Sequence, residues 1–219
     1  MRIALVHGFT GHPADLMPLH QAFEAAGYPC ESLVLPGHAT HLQDLIKYRA
    51  EDWILAVQKI DCDVLVGLSM GGLLSVIAAN RKRYQKLILL SPAFFLQILP
   101  GLAAKIAWMG LKAMACNLPK TLGSDIQDPI ARVHSQAYQA IPLKALAEFE
   151  RVRRMALQAL VGVNCPQVAF FGAHDRTVNV SKTAPLFQHS VVLPNSAHLL
   201  PLDYDQKELI HQCLQILEK

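Results

Sequence analysis

The sequence predicts an α/β fold, a mostly parallel sheet of about six strands covered by helices, and three observations lead there. Short aliphatic or β-branched runs alternate with longer amphipathic segments along nearly the whole chain. At 219 residues, 52% hydrophobic and 17% charged, the chain can bury a large core and lies far from disordered compositions. No internal repeat or low-complexity linker divides it, so a single domain spanning 1–219 is expected.

The elements follow in order. "RIALV" (2–6) and "ESLVL" (31–35) read as the first two strands, joined by a helix from about Asp15 to Ala26 that Gly27 stops. "DVLVGL" and "KLILL" read as the third and fourth, with a helix from about Met70 to Arg83 starting at the "SMGG" turn. "QVAFF" (167–171) and "SVVL" (190–193) complete the set, and a helix from about Tyr204 to Leu217 closes the chain. Between "LLSPA" and "QVAFF" lie roughly seventy residues with helical patterns, no strand signal and breaks at Pro100, Pro119, Pro129 and Pro142. A parallel crossover needs only about a dozen residues, so a helical cap insertion is expected at about 93–163. Within it Lys105 and Lys112 share one face of a helix expected over about 101–116, with Leu102, Ile106, Met109 and Ala113 elsewhere around it. That pattern suits a lid with its lysines in water, and equally a helix packed on the body.

Composition excludes several classes. Net charge is +3, and the densest basic patch, "RVRR" at 151–154, has helical spacing, which points to a solvated helix face and not to nucleic acid. Cys30, Cys62, Cys116, Cys165 and Cys213 are odd in number and form no C-x-x-C, which argues against a disulfide framework and a structural zinc site. "MRIALVHGFTGH" carries too short an apolar run for a signal peptide, so a cytoplasmic protein is expected. The apolar stretch from Phe94 to Cys116 is interrupted by Pro100, Gly101, Lys105 and Lys112, so no stable membrane insertion is expected. Oligomeric state stays open.

The chemistry centres on "GLSMG", a G-x-S-x-G pattern between a buried strand and a helix. A sharp strand-to-helix turn needs small neighbours, which Gly67, Gly71 and Gly72 provide, and it thrusts the Ser69 hydroxyl out above the positive end of the helix. A serine needs a base and a group to orient that base. Asp175 lies in "FFGAHDRTVN" after the fifth strand and His198 in "LPNSAHLLPLD" after the sixth, giving the order Ser, Asp, His. His174 would point away if Asp175 points inward. Asp203 reads as an N-cap or first-turn acid of the last helix. His38 and His41 in "PGHATH" fit loop packing better than the site. Two backbone amides should stabilise an oxyanion: that of Met70, after the nucleophile, and that of Phe9 in "HGFTGHP".

"HGFTG", "PGH", "GLSMGG", "HD" and "SAH", in this order and across nearly the whole chain, resemble the α/β-hydrolase superfamily, most closely its bacterial carboxylesterase and monoacylglycerol lipase group. The resemblance implies Ser69 as nucleophile, Asp175 and His198 as its partners, and Phe9 and Met70 as oxyanion donors. It also implies an α/β-hydrolase fold whose sheet is shortened, since "RIALVHG" leaves no room for two preceding antiparallel strands. "PGHAT" and "SAH" carry alanine where many relatives carry glycine. The expected activity is hydrolysis of small-molecule carboxylic esters, short to medium in acyl chain and monoacylglycerol-like, through an acyl-enzyme with no metal or cofactor. Phe94, Phe95, Ile98, Leu99, Ile106, Trp108 and Met109 are candidates to hold the acyl group, or simply to pack the cap. Acyl transfer or thioester cleavage on the same triad, and a non-catalytic ligand-binding homologue, are the alternatives.

Overall fold

Strands rich in Val, Ile and Leu with little polar alternation must be covered on both faces, and this chain covers them with helices. The computed structural model describes residues 1–109, 116–120 and 123–218. In chain order these form β1 (Ile3–Val6), α1 (Met17–Ala25), β2 (Cys30–Leu33), α2 (Ala50–Gln58), β3 (Val64–Leu68), α3 (Met70–Ala79) and β4 (Lys86–Leu90). An insertion follows, with α4 (Ile98–Trp108), β5 (Asn117–Pro119), α5 (Pro129–His134), β6 (Ala140–Pro142) and α6 (Leu143–Ala159). β7 (Gln167–Gly172), α7 (Val180–Thr183), β8 (His189–Leu193) and α8 (Gln206–Glu218) complete the chain.

The six strands of the main sheet run in the order β2-β1-β3-β4-β7-β8, and every pairing is parallel. Alternation along β1 divides the core. Ile3 and Leu5 face Leu19 and Phe23 of α1 and Leu209 and Cys213 of α8, whereas Ala4 and Val6 face Trp53 of α2, Leu73 of α3 and Val152 of α6. Because the chain leaves β1 for β2 on one side and returns to β3 on the other, the loops after β1 and β3 part at the carboxyl edge of the sheet. That crevice is where open α/β sheets bind ligands.

The insertion departs from its expected form. It contains an antiparallel strand pair, β5 with β6, in register Asn117↔Pro142 to Pro119↔Ala140. Three-residue strands bearing prolines at their ends are too short to carry a period-two pattern, which is why none was legible. Its last helix, α6, buries Val152, Ala156 and Phe149 in the core shared with α3, so it serves as the crossover helix covering the sheet and not as cap. α4 stops at Trp108; Lys112 and Ala113, expected on the same helix, lie outside the described residues. α4 also turns its small side inward: Ala104 and Ala107 are buried, while Ile98, Leu99 and Leu102 are exposed. Small residues let two helix backbones approach closely, which offsets the loss of larger apolar contacts.

The "RVRR" patch is paired, not merely solvated. Arg151 reaches Glu51 and Glu148, while Arg153 and Arg154 both engage the buried Glu150. No helix among the described residues is long and apolar enough to cross a membrane.

Candidate active site

Ser69 sits between β3 and α3 with φ 56° and ψ −113°, a backbone region that costs roughly 1–3 kcal/mol and persists only where its surroundings enforce it. Here they do. The Ser69 amide donates to Leu90 O at 2.8 Å, its carbonyl accepts from Gly72 and Ala93, and a Cβ on Gly71 would drive into the Val6 carbonyl of the neighbouring strand. Although Ser69 occupies the N-cap position of α3, its hydroxyl makes no capping bond and is left for other chemistry.

The loops after β7 and β8 bring Asp175 and His198 together across 23 positions of sequence. Asp175 Oδ2 lies 2.8 Å from His198 Nδ1, and both side chains are buried. Asp175 Oδ1 accepts the amides of Thr177 at 2.8 Å and Val178 at 2.7 Å, which locks the carboxylate's orientation. Gly172 makes the approach possible, because a Cβ there would overlap the carbonyls of Ser196 and Ala197, immediately before His198. Burial disfavours a charged imidazole at His198, yet the charge and hydrogen bond of Asp175, with Asp125 farther off, outweigh it and raise the pKa above the ordinary histidine value; Lys120 opposes them. Asp203 does not cap α8, which begins at Gln206. Its carboxylate accepts the amides of Gln127, Asp128, Ala197 and Tyr204 at 2.8 to 3.0 Å, tying the insertion to the His198 loop.

The loop after β1 is held by histidines that stay neutral. His38 Nδ1 donates to Pro36 O and Nε2 accepts from Thr10 N at 3.2 Å, fixing Thr10 at φ 57°. His7 in turn donates from Nδ1 to Gly8 O and accepts from Leu35 N. Burial first, then His38 for His7 and Lys120 for His38, lowers His7 to about 3 and His38 to about 4, so both acceptor nitrogens survive through the working pH range. The bonds shaping this loop run through Gly11, Thr10 and His12, while the Phe9 and Met70 amides stand at the loop and at the first turn of α3, where helix amides lack intrahelical partners. The Phe9 ring stacks on Phe149 of α6 at 5.0 Å.

Residues 3–211 match the alpha/beta hydrolase family. The chain belongs to that family. It is a carboxylic ester hydrolase: it is 30% identical to a thermostable monoacylglycerol lipase of Bacillus sp. (strain H-257) over 99% of this chain and 90% of that one. It is 20% identical to a carboxylesterase of Bacillus subtilis (strain 168), covering 99% and 92% of the two. Among solved structures it is similar to one described with LipS and LipT, two metagenome-derived lipolytic enzymes, with TM-score 0.84, 25% identity and coverage of 99% and 92%. A monoacylglycerol lipase of Paleococcus ferrophilus superposes with TM-score 0.79 at 17% identity, over 97% and 91% of the chains.

In this hydrolase the side chains expected around an acyl group are scattered. Ile98, Leu99 and Met109 stand 84%, 78% and 83% exposed. Phe94 is fully buried edge-on against Phe187, and Trp108 lies beneath the Arg154 guanidinium, 4.8 Å away. Phe95 and Ile98 do line a cavity of about 470 Å³ with Leu96, Leu102, Lys105 and Arg153, but none of Ser69, Asp175, His198, Phe9 and Met70 borders it. It meets the Asp175 loop through Gln97, whose Nε2 donates to Asp175 O at 3.3 Å, and through Leu96, which bridges to Val178. Ile106 is partly exposed on α4. The reason is α4's orientation, which the lysine spacing alone could not set. The reading of residues also missed Phe149 and Asp125, which reach the site from the insertion and belong to no recognisable motif.

Proposed function

We propose that the hydrolase cleaves small carboxylic esters through a covalent acyl-enzyme on Ser69. The observation that carries this reading is the buried 2.8 Å contact of His198 Nδ1 with Asp175 Oδ2, on the same carboxyl edge of the parallel sheet as a strained, uncapped serine. With Nδ1 donating to Asp175, the imidazole presents Nε2 as its base. Ser69 Oγ attacks the carbonyl carbon as its proton passes to Nε2, and the oxyanion is stabilised by the Phe9 and Met70 amides. Collapse breaks the acyl–oxygen bond, Nε2 returns the proton to the departing alkoxide, and water repeats the sequence to release the acid. No cofactor is required, since each proton is supplied and recovered by His198.

Short to medium acyl chains, in monoacylglycerol-like esters, are the proposed substrates, and the 30% identity to a monoacylglycerol lipase supports that choice. The test is reaction with a fluorophosphonate together with a p-nitrophenyl ester series from acetate to palmitate. Stoichiometric labelling at Ser69 is expected. A folded protein that neither labels nor turns over any ester would instead be the ligand-binding homologue.

Two expectations follow. kcat/KM should fall about tenfold per pH unit once the imidazole is protonated, and the fall should begin above the 6.5 of an ordinary histidine, because the shift at His198 is upward and only the neutral ring accepts a proton. A profile flat to pH 5 would remove His198 as base. The second concerns the cap. Met109→Trp should leave the chain-length profile unchanged because the side chain is mostly in solvent, whereas Ile106→Trp should favour shorter chains if α4 borders the acyl group. Each methylene of pocket contact is worth about 0.8 kcal/mol, so such a shift grows steadily with chain length.

A further inference from the structure

We infer that Asp125, contributed by the insertion, is a positioning residue that fastens the Asp175 loop to the His198 loop and contributes negative charge to the base. The inference rests on the triad reading above.

Its two halves hold two different loops. The Asp125 backbone carbonyl accepts the amides of both His198 and Leu199 at 3.1 Å. Its carboxylate points to the loop after β7, where Oδ2 accepts from Arg176 N at 2.9 Å and from Thr177 Oγ1 at 2.9 Å, and Oδ1 accepts from Arg176 Nε at 2.8 Å. One residue therefore grips the base's own amide with its main chain and the two residues following the acid with its side chain. The segment is anchored independently. Asp203 accepts the amides of Gln127 and Asp128 with the same carboxylate that holds Ala197, so Asp125 and His198 cannot shift separately.

The donor set fits a carboxylate specifically: three donors converge on two oxygens, and an amide in its place would turn an N–H toward at least one of them. An oxygen of Asp125, an oxygen of Asp175 and a ring nitrogen of His198 all lie within 4.8 Å of one another. The Asp125 side chain is 11% exposed, whereas its Arg176 partner is 42% exposed, so solvent screens the guanidinium more than the carboxylate. The charged groups acting on the imidazole are Asp175 and Asp125, which favour its protonated form, and Lys120, which opposes it.

The experiment compares Asp125→Asn, Asp125→Glu and Thr177→Val with Asp128→Ala, which removes only the N-cap of α5 three residues away. kcat and KM are measured separately across pH, and the His198 ring is titrated by NMR, its signal assigned with His198→Gln. For Asp125→Asn, kcat should fall about ten- to hundredfold with KM nearly unchanged, the scale expected for a misplaced catalytic group. Both the acid limb and the ring titration should move to lower pH, because a charge favouring the imidazolium is gone. Asp125→Glu should return the titration toward that of the parent, and Asp128→Ala should lower Tm without moving either quantity. A fall in kcat with an unmoved titration would make Asp125 merely structural and overturn the inference, as would an unchanged kcat. If Asp125→Asn does not fold, Thr177→Val decides: a severalfold lower kcat at constant KM is expected, and parental kcat overturns the inference. The ring titration needs no turnover, so a wild-type protein inactive on every ester would defeat the triad reading while leaving Asp125's influence on His198 measurable.

Discussion

Replacing Ser69 by alanine is expected to lower kcat/KM on any accepted ester by about 10⁴-fold or more while leaving the fold and melting temperature nearly unchanged. The position already holds a residue with a Cβ at φ 56°, so alanine adds no backbone strain. The lost hydroxyl caps nothing, and the turn is held by main-chain bonds to Leu90, Gly72 and Ala93, which alanine keeps. Steady-state kinetics, circular dichroism and loss of fluorophosphonate labelling would be read together. A folded Ser69→Ala protein with parental activity would end the proposed mechanism.

Asp175→Asn is the second large effect, with an expected loss of about 10⁴-fold in kcat at neutral pH. The loop dictates how the amide must lie. Two backbone amides, from Thr177 and Val178, point at the position of Oδ1, so the asparagine oxygen has to remain there to keep them satisfied. Its NH₂ then faces His198 Nδ1, where Asp175 Oδ2 now accepts. The ring must turn its lone pair toward that donor and carry its proton on Nε2, the nitrogen that should deprotonate Ser69. A misplaced proton, not a misplaced side chain, thus explains the loss. Retention of more than about a tenth of the activity would show that Asp175 does not set the tautomer.

Ser69, Asp175 and His198 were legible as candidates because the fold places each one in the loop after a strand, and strands announce themselves. "VLVGL" before Ser69 and "VAFFG" before Asp175 are aliphatic or aromatic runs long enough to recognise, and the residues that follow a parallel strand at its carboxyl end share one edge of the sheet. Asp203 was misread because an acid just before a helical pattern usually caps it; here its acceptors serve four amides, two of them in the distant insertion. Asp125 offered no signal at all. Its partners lie 51 and 52 positions away in Arg176 and Thr177, and no periodicity connects residues brought together by chain crossing.

Local rules therefore determined the parallel sheet, the strained serine turn and the order of the three catalytic candidates, since each depends on side-chain alternation or on backbone space within a few residues. What only the tertiary structure decided is how the insertion lies on that frame. α4 presents alanines inward and its larger aliphatics outward, β5 finds β6 across about twenty residues, and Asp125 closes on the loops that carry Asp175 and His198. The physical reason is that an amphipathic pattern specifies that a helix has a buried side, whereas which surface it meets is set by the shape and hydrogen-bonding demands of residues far away in sequence.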